Sequence, residues 1–409
     1  MVKSFINKVK SLEKDFLIFL LVGIFIGIGQ SVEGSTLSNF LKEKINMAVM
    51  QRSVLEMPRE LPGFLVFLIM GFLYTLGDIR IALLANLCAA FGMFLLGIVP
   101  SDFGWIIFSM FIYSMGVHIY LPLTNSIGMS FANDGNLGRK LGQLSATNTA
   151  ALVVSSAILW ALFTFLHISY TVAFSIGSVA FLGASVLLLF MNPKLTIKPK
   201  KRFVFRKEYR LFYWLSFLFG ARKQIFLTFA PWVLVDVFKQ KVTTMTILFF
   251  IISVTGIFFK PLVGSLIDKI GEKAVLSGEA AILIFVCLGY AFADNIIPGD
   301  GAVIIISICY ILDQMLASVG MARATYIRKI VVEPEDLSPT LSTGLSIDHI
   351  VSMTVPFLGG YIWYRNGQNG YKYVFIAAAV IAVINLISTR MIKIHGNTET
   401  NNIEVSIGS

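Results

Sequence analysis

Ionisable side chains occur in this sequence where water is not expected. Arg222 and Lys223 stand in the middle of LFYWLSFLFGARKQIFLTF. Asp348 and His349 sit in SIDHIV, Asp313 and Gln314 in ILDQML, Gln30 and Glu33 in GIGQSVEGS, and Glu56, Arg59 and Glu60 in SVLEMPRELPGFLVFL. Side chains of these types exchange protons, bind ionic groups or pair with one another. Placing one at the centre of a hydrocarbon layer costs at least ~2.5–3.5 kcal/mol on insertion scales, so residues kept there mark where chemistry is expected.

The elements that must hold these groups are read from composition. Of 409 residues, 56% are hydrophobic and only 14% charged, against about 25% charged in a soluble domain. Mean hydropathy is +0.79. Twelve apolar runs stand near 16–38, 53–77, 80–99, 103–130, 143–166, 169–191, 211–237, 243–266, 274–294, 301–327, 340–363 and 371–389. Each is about 20 residues long, the length of a helix crossing a ~30 Å hydrocarbon core. The ten-residue alternation of barrel strands is absent. The start, MVKSFINKVKSLEKDF, reads as an amphipathic basic lead-in with no cleavage site before the first run. Cys88, Cys287 and Cys309 all lie inside apolar runs and read as small core residues.

The net charge of +10 is distributed by side, which argues against nucleic acid as a partner. With the N-terminus inside, about 21 of the 33 Lys and Arg fall on one side, about 7 on the other and about 5 within runs. This is the asymmetry of a membrane protein with both termini cytoplasmic, expected in the cytoplasmic membrane of a bacterium. Basic residues concentrate in NPKLTIKPKKRFVFRKEYR, 192–210, which holds eight Lys and Arg and one Glu. That segment follows the sixth run and divides the chain into a first bundle at 1–191, a linker at 192–210, a second bundle at 211–393 and a polar tail at 394–409. The linker reads as a topology-fixing cytoplasmic loop that also suits anionic lipid.

The two parts share a layout. Runs 1 and 7 each carry glycines, then a polar cluster, then an apolar stretch ending in Lys. GRKLGQLSATNTAAL after run 4 parallels SPTLSTGLSIDHIV after run 10. Between runs 8 and 9 stands GSLIDKIGEK, with Gly264, Asp268, Lys269 and Gly271. This resembles the Gly-x-x-x-Asp-(Arg/Lys)-x-Gly loop of the major facilitator superfamily. The first-half counterpart, GFLYTLGDIR, has Gly71, Gly77, Asp78 and Arg80, with Thr75 where the family has Asp. The resemblance implies an all-α integral membrane fold of twelve helices in two six-helix bundles, a solute site between them, and a gating role for Gly264, Asp268, Lys269, Gly271, Asp78 and Arg80. Glycine at such a loop is expected to let helix ends approach.

Depth and spacing set the remaining expectations. Arg222 lies about 11 residues into its run, roughly 17 Å deep. Neighbours on a helix point about 100° apart, so one of Arg222 and Lys223 is expected to face Asp313 and Asp348. Gln30 and Glu33 share a helix face, flanked by Gly29 and Gly34, which allow close packing or local unwinding. Glu33, with no obvious basic partner in its own helix, suits a proton carrier or a binder of cations. Starting run 2 at Pro62 leaves about 16 residues, too short to span. Glu56, Arg59 and Glu60 therefore read as an outer-cavity polar site on a helix bent at Pro58 and Pro62. Glu56–Arg59 reads as a partly exposed pair worth little. The rival is a helix N-terminus with Pro58 in its first turn. His118 reads as a packing or proton-handling group, and Lys260 and Arg323 as side chains snorkelling to the cytoplasmic face.

Together these residues describe a secondary transporter of a small polar solute, anionic or zwitterionic, coupled to protons. Arg222, Lys223, Arg59, Gln30, Gln314 and His349 would meet the solute; Glu33, Glu56, Glu60, Asp313 and Asp348 would carry the proton. Membrane lipid surrounds it, a monomer suffices, and no cofactor or metal is implied. No phosphate-binding Gly-x-x-x-x-Gly-Lys-Ser/Thr loop, metal-ligand spacing or nucleophile elbow is present. Three rivals remain at this level: a proton-driven exporter of lipophilic cations, a non-transporting receptor or lipid-handling protein, and an intramembrane enzyme.

Overall fold

The computed structural model describes residues 2–73, 76–98, 102–131, 137–192, 205–333 and 336–393. Most of the basic linker (193–204), the polar tail (394–409) and Thr75 of the first-half loop lie outside the described residues. The helices are α1 (Val2–Glu43), α2 (Val49–Leu73), α3 (Asp78–Ile98), α4 (Phe103–Ser130), α5 (Leu137–Phe165), α6 (Tyr170–Leu189), α7 (Arg210–Trp232), α8 (Val242–Ile296), α9 (Asp300–Leu316), α10 (Gly320–Ile330), α11 (Leu337–Arg365) and α12 (Gly370–Arg390).

Helix count and span count agree by a different route. Gly271, at φ +80°, breaks α8 into two legs, each long enough to cross a membrane. A short 3-10 turn, Ala317–Val319, joins α9 and α10 into one crossing. Gly77, before α3, also has φ +80°. The two halves thus place a left-handed glycine at matching inter-helix turns, the conformation glycine adopts without steric cost. Asp102 caps α4 by accepting from the Trp105 amide at 3.1 Å, and Ser169 caps α6 through Val172.

Eight of the described helices are long and apolar enough to cross a membrane by composition alone. α2, α7 and α11 fall short of that standard, and these carry most of the ionisable groups. They also pack on one another, α11 against both α2 and α7. Within the first bundle α3 packs on α4 and α6, and α1 on α5 and α6; within the second, α12 packs on α8 and α7. The bundles meet where α2 lies on α11 and α5 on α8. Cys287 and Cys309 are buried free thiols.

Polar contacts joining the bundles run from mid-depth to the face away from the termini. Lys42 pairs with Asp236 at 2.6 Å, and Asn39 donates to the Gln240 carbonyl at 2.9 Å. Gly34 lies so close to Phe249 that no Cβ fits, and Gly360 lies likewise against Ser53. On the other face, Gly264 borders open space. The close helix approach expected there is missing, because the bundles are drawn together at the opposite end. Asp268 and Lys269 are exposed, as is Arg80, while Asp78 accepts from Ser126.

Candidate functional site

α2 is one continuous helix from Val49, with Pro58 and Pro62 inside it. Pro58 is therefore well past the first turn, which removes the helix-start reading. The Glu56 carboxylate is fully buried rather than partly exposed. It accepts from Arg52, one turn earlier, from Arg59 at 3.1 Å, and from the Gln224 amide of α7 at 2.7 Å. Arg59 also reaches Glu33 of α1 at 3.3 Å. Glu33 thus has a basic partner, supplied by a neighbouring helix. Gly29, closed in by Phe181, and Gly34 serve close packing, and α1 stays helical through them.

Both basic residues of α7 find acids. Arg222 pairs with Asp313 at 2.9 Å and approaches Glu279 at 3.9 Å; Lys223 pairs with Asp348 at 2.7 Å. Adjacent positions point to different neighbours, so the two cations divide the two acids instead of competing for them. Gly220, beside Asp348, leaves no room for a Cβ. Gln314 donates to the neighbouring Asp313 at 3.1 Å, and Ser352 to Asp348 at 3.4 Å. Arg323 does not snorkel to the face. Its guanidinium lies 3.4 Å over the Phe219 ring, in electrostatic reach of Glu279.

Glu60 stands apart from these pairs. Its carboxylate meets His349 Nδ1 of α11 at 3.0 Å and lies 4.0 Å from His118 Nε2 of α4. The two imidazoles are 5.1 Å apart and nearly edge to face. Gly63, one turn on from Glu60, makes room for them: a Cβ there would collide with both rings. The His118 Nδ1 atom donates to the Ser114 carbonyl at 2.9 Å, which orients Nε2 toward Glu60. Ser114 in turn donates to the Arg59 carbonyl. Glu60 and His118 belong to the first bundle and His349 to the second.

A charge balance sets this cluster apart. Among the described residues the interior network holds six carboxylates, Glu33, Glu56, Glu60, Glu279, Asp313 and Asp348, and five cations, Arg52, Arg59, Arg222, Lys223 and Arg323. Glu33 and Glu56 are balanced by Arg52 and Arg59, Asp348 by Lys223, and Asp313 with Glu279 by Arg222 and Arg323. Glu60 is bonded to imidazoles rather than to a fixed cation; Arg59 and Lys223 lie within its electrostatic reach but are each paired with another acid. A carboxylate and two ring nitrogens offer a place for one cation: a proton shared with a histidine, or a transition metal, since the donor atoms lie within 4.8 Å of one another.

A cavity of about 250 Å³ opens in the first bundle, in the half of the membrane toward the termini. Phe19, Gln30, Tyr120, Asn125, Ser145 and Asn148 are among its lining residues. Asn148 donates to the Gly23 carbonyl at 3.1 Å and to the Gln30 side chain at 3.4 Å.

Of the residues anticipated to meet a solute, Gln30 borders this cavity. Arg59, Arg222, Lys223, Gln314 and His349 instead lie in the polar network. Sequence reasoning passed over Arg52, Gln224 and Glu279. The i,i+4 spacing of Arg52 and Glu56, and the lone Glu in LSGEAAILIF, were the available signals. Gln224 carried none, because its partner is on another helix.

The geometry is that of a two-bundle membrane carrier, and comparison agrees. The Major Facilitator Superfamily profile matches residues 19–331. The chain belongs to this superfamily. The nucleoside transporter NupG is similar in structure with TM-score 0.76 at 14% identity, covering 92% of this chain and 98% of that one. A bacterial homologue of the human lysosomal transporter Spinster, inward-facing and occupied, has TM-score 0.71 at 15% identity over 93% of this chain and 96% of that one. A POT family transporter in complex with 5-aminolevulinic acid has TM-score 0.71 at 13% identity, with coverage of 93% and 97%. Comparison with curated proteins gives no match.

Proposed function

We propose that the protein is a proton-coupled secondary transporter that moves a small polar organic solute by alternating access between its two bundles. The observation that carries this reading is the Glu60–His118–His349 cluster, the part of the interior network where a carboxylate is bonded to imidazoles and not to a fixed cation, divided between the bundles. With a proton shared between Glu60 and His349 the interior is neutral, and the bundles are held together on the face away from the termini. Without it, a carboxylate is left buried and unbalanced, which favours separation of α2 from α11 and access of water. Loading and releasing one proton thereby biases the two arrangements.

The ion pairs form the frame in which this happens. Arg59 and Gln224 join α1, α2 and α7 around Glu56, while Arg222–Asp313 and Lys223–Asp348 hold the second bundle. In this arrangement the cations that would greet an anionic solute are occupied by acids. Glu33, held by Arg59, is likewise unavailable to a lipophilic cation, which weighs against the drug-export reading. Two of the three named neighbours are a nucleoside transporter and a transporter in complex with 5-aminolevulinic acid; nucleosides and 5-aminolevulinic acid are both small polar organic molecules. We place the protein as a monomer in the cytoplasmic membrane of a bacterium, both termini inside, the loop residues Asp268, Lys269, Asp78 and Arg80 on the cytoplasmic face.

The test is proton movement in proteoliposomes containing a trapped pH-sensitive dye. Adding a transported solute outside should acidify the lumen with the native chain. With Glu60→Gln, solute exchange should persist while the pH change disappears. Binding of a solute without any flux would support the receptor reading, and chemical conversion of the solute the enzyme reading.

A further inference from the structure

We propose that the cavity of the first bundle takes an uncharged heterocyclic solute, one with adjacent amide-like donor and acceptor groups on its edge and a flat ring. This rests on the transport reading and narrows its solute class. Among the described residues the cavity is lined by amides, hydroxyls, aromatic rings and aliphatic groups, with no Asp, Glu, Lys or Arg. A charged solute placed there would be desolvated without a counter-charge, which costs far more than burying a neutral group whose hydrogen bonds are met.

The polar groups are already partly arranged. Asn148 spends both amide hydrogens, on Gly23 and on the Gln30 carbonyl oxygen. This leaves the Asn148 carbonyl oxygen as an acceptor and the Gln30 amide nitrogen as a donor, on two side chains that touch each other and line the cavity. An amide edge of a heterocycle offers the complementary pair. Asn125, exposed to the cavity from α4, contributes a further donor and acceptor, and Ser145 a hydroxyl. Phe19, Tyr120 and Phe181 supply ring surfaces suited to stacking. A volume of about 250 Å³ holds one such ring, alone or with a sugar attached.

The cavity is also connected to the proton site through two helices. α4 turns Val117 and Tyr120 to the cavity and His118 to Glu60; α1 turns Gln30 to the cavity and Glu33 to Arg59. A solute drawing on α1 and α4 thus acts on the elements that hold Glu60 and its partners.

The experiment is equilibrium binding to the detergent-purified full chain by calorimetry and thermal stabilisation. The probes are uracil and uridine (neutral), uridine monophosphate (anionic), glycylglycine (zwitterionic) and tetraphenylphosphonium (cationic). The expected result is binding of uracil or uridine, with the charged probes at least about tenfold weaker. Asn125→Ala should weaken the neutral probe about fivefold, the value of one hydrogen bond, with an unchanged melting temperature when no ligand is present. Equal or tighter binding of any charged probe overturns the proposal, as does full affinity in Asn125→Ala, or no binding of either neutral probe up to about 10 mM. A charged probe that binds and also moves protons in liposomes would overturn the solute class while leaving the transport reading intact.

Discussion

One proton, and no more, should set the balance between the two arrangements of the bundles. Spin labels placed at Gln51 and Tyr364, both exposed at the ends of α2 and α11 away from the termini, report that balance in a variant whose three cysteines are replaced. The closed arrangement brings Glu60 within 3.0 Å of His349; on the proton-coupled reading proposed above it holds one proton between them, and the separated arrangement exposes both to water and releases it. The sign follows from linkage: the state that binds the extra proton is favoured as pH falls, so the short distance should grow in population on acidification and decline as pH rises. Because one proton is exchanged between the two arrangements on this reading, the closed-to-open ratio should change by at most about tenfold per pH unit, about 1.4 kcal/mol. Glu60→Gln keeps a hydrogen-bonding group and removes the charge, so its slope should be close to zero. Pulsed dipolar distance distributions between about pH 5 and pH 8, the range in which histidine titrates, measure this. A slope well above tenfold per unit, an opposite sign, or an undiminished slope in Glu60→Gln would each refute the assignment of Glu60.

Three further outcomes follow from the packing. Glu56→Leu removes the acceptor shared by Arg52, Arg59 and Gln224 and strands buried charge, which should cost about 3–5 kcal/mol and lower the detergent melting temperature markedly; adding Arg52→Met should restore part of the loss. Gly63→Val drives a side chain into both imidazoles, so the pH response of the spin-label distance should be lost even where the helical circular dichroism is retained. At Gly271 a Cβ meets nothing, and Gly271→Ala should therefore show the backbone penalty alone, about 1–3 kcal/mol for a φ/ψ region that is essentially glycine's, read as a lower melting temperature with unchanged ligand affinity.

Long-range architecture is plainly legible in the sequence, and local polar chemistry only in part. Twelve runs, a basic break at 192–210 and the GSLIDKIGEK loop suffice for the fold, because hydrocarbon demands about twenty apolar residues per crossing whatever the partners are. Within one helix, spacing predicts partners well: Glu56 and Arg59 are three residues apart and do touch. Across helices it does not. Glu33 lacks a partner on α1 and acquires Arg59 from α2. Arg323, near a helix end, resembles a snorkelling residue, yet its ring partner Phe219 lies on α7. Gly264 resembles a contact glycine, yet it borders open space in an arrangement closed at the other end.

The sequence by itself therefore determined that the chain lies in a membrane, that it has two like halves, and that a small set of ionisable residues is kept at depth. These depend on composition and on distances along one helix, both of which the linear chain states directly. Only the tertiary structure decided which acid meets which base and which acid meets imidazoles. Glu60, His118 and His349 come from α2, α4 and α11, far apart in the chain, and their meeting depends on how one bundle is laid against the other. The neutral cavity is decided in the same way: Gln30, Asn125 and Asn148 become one surface only when α1, α4 and α5 pack around a shared space.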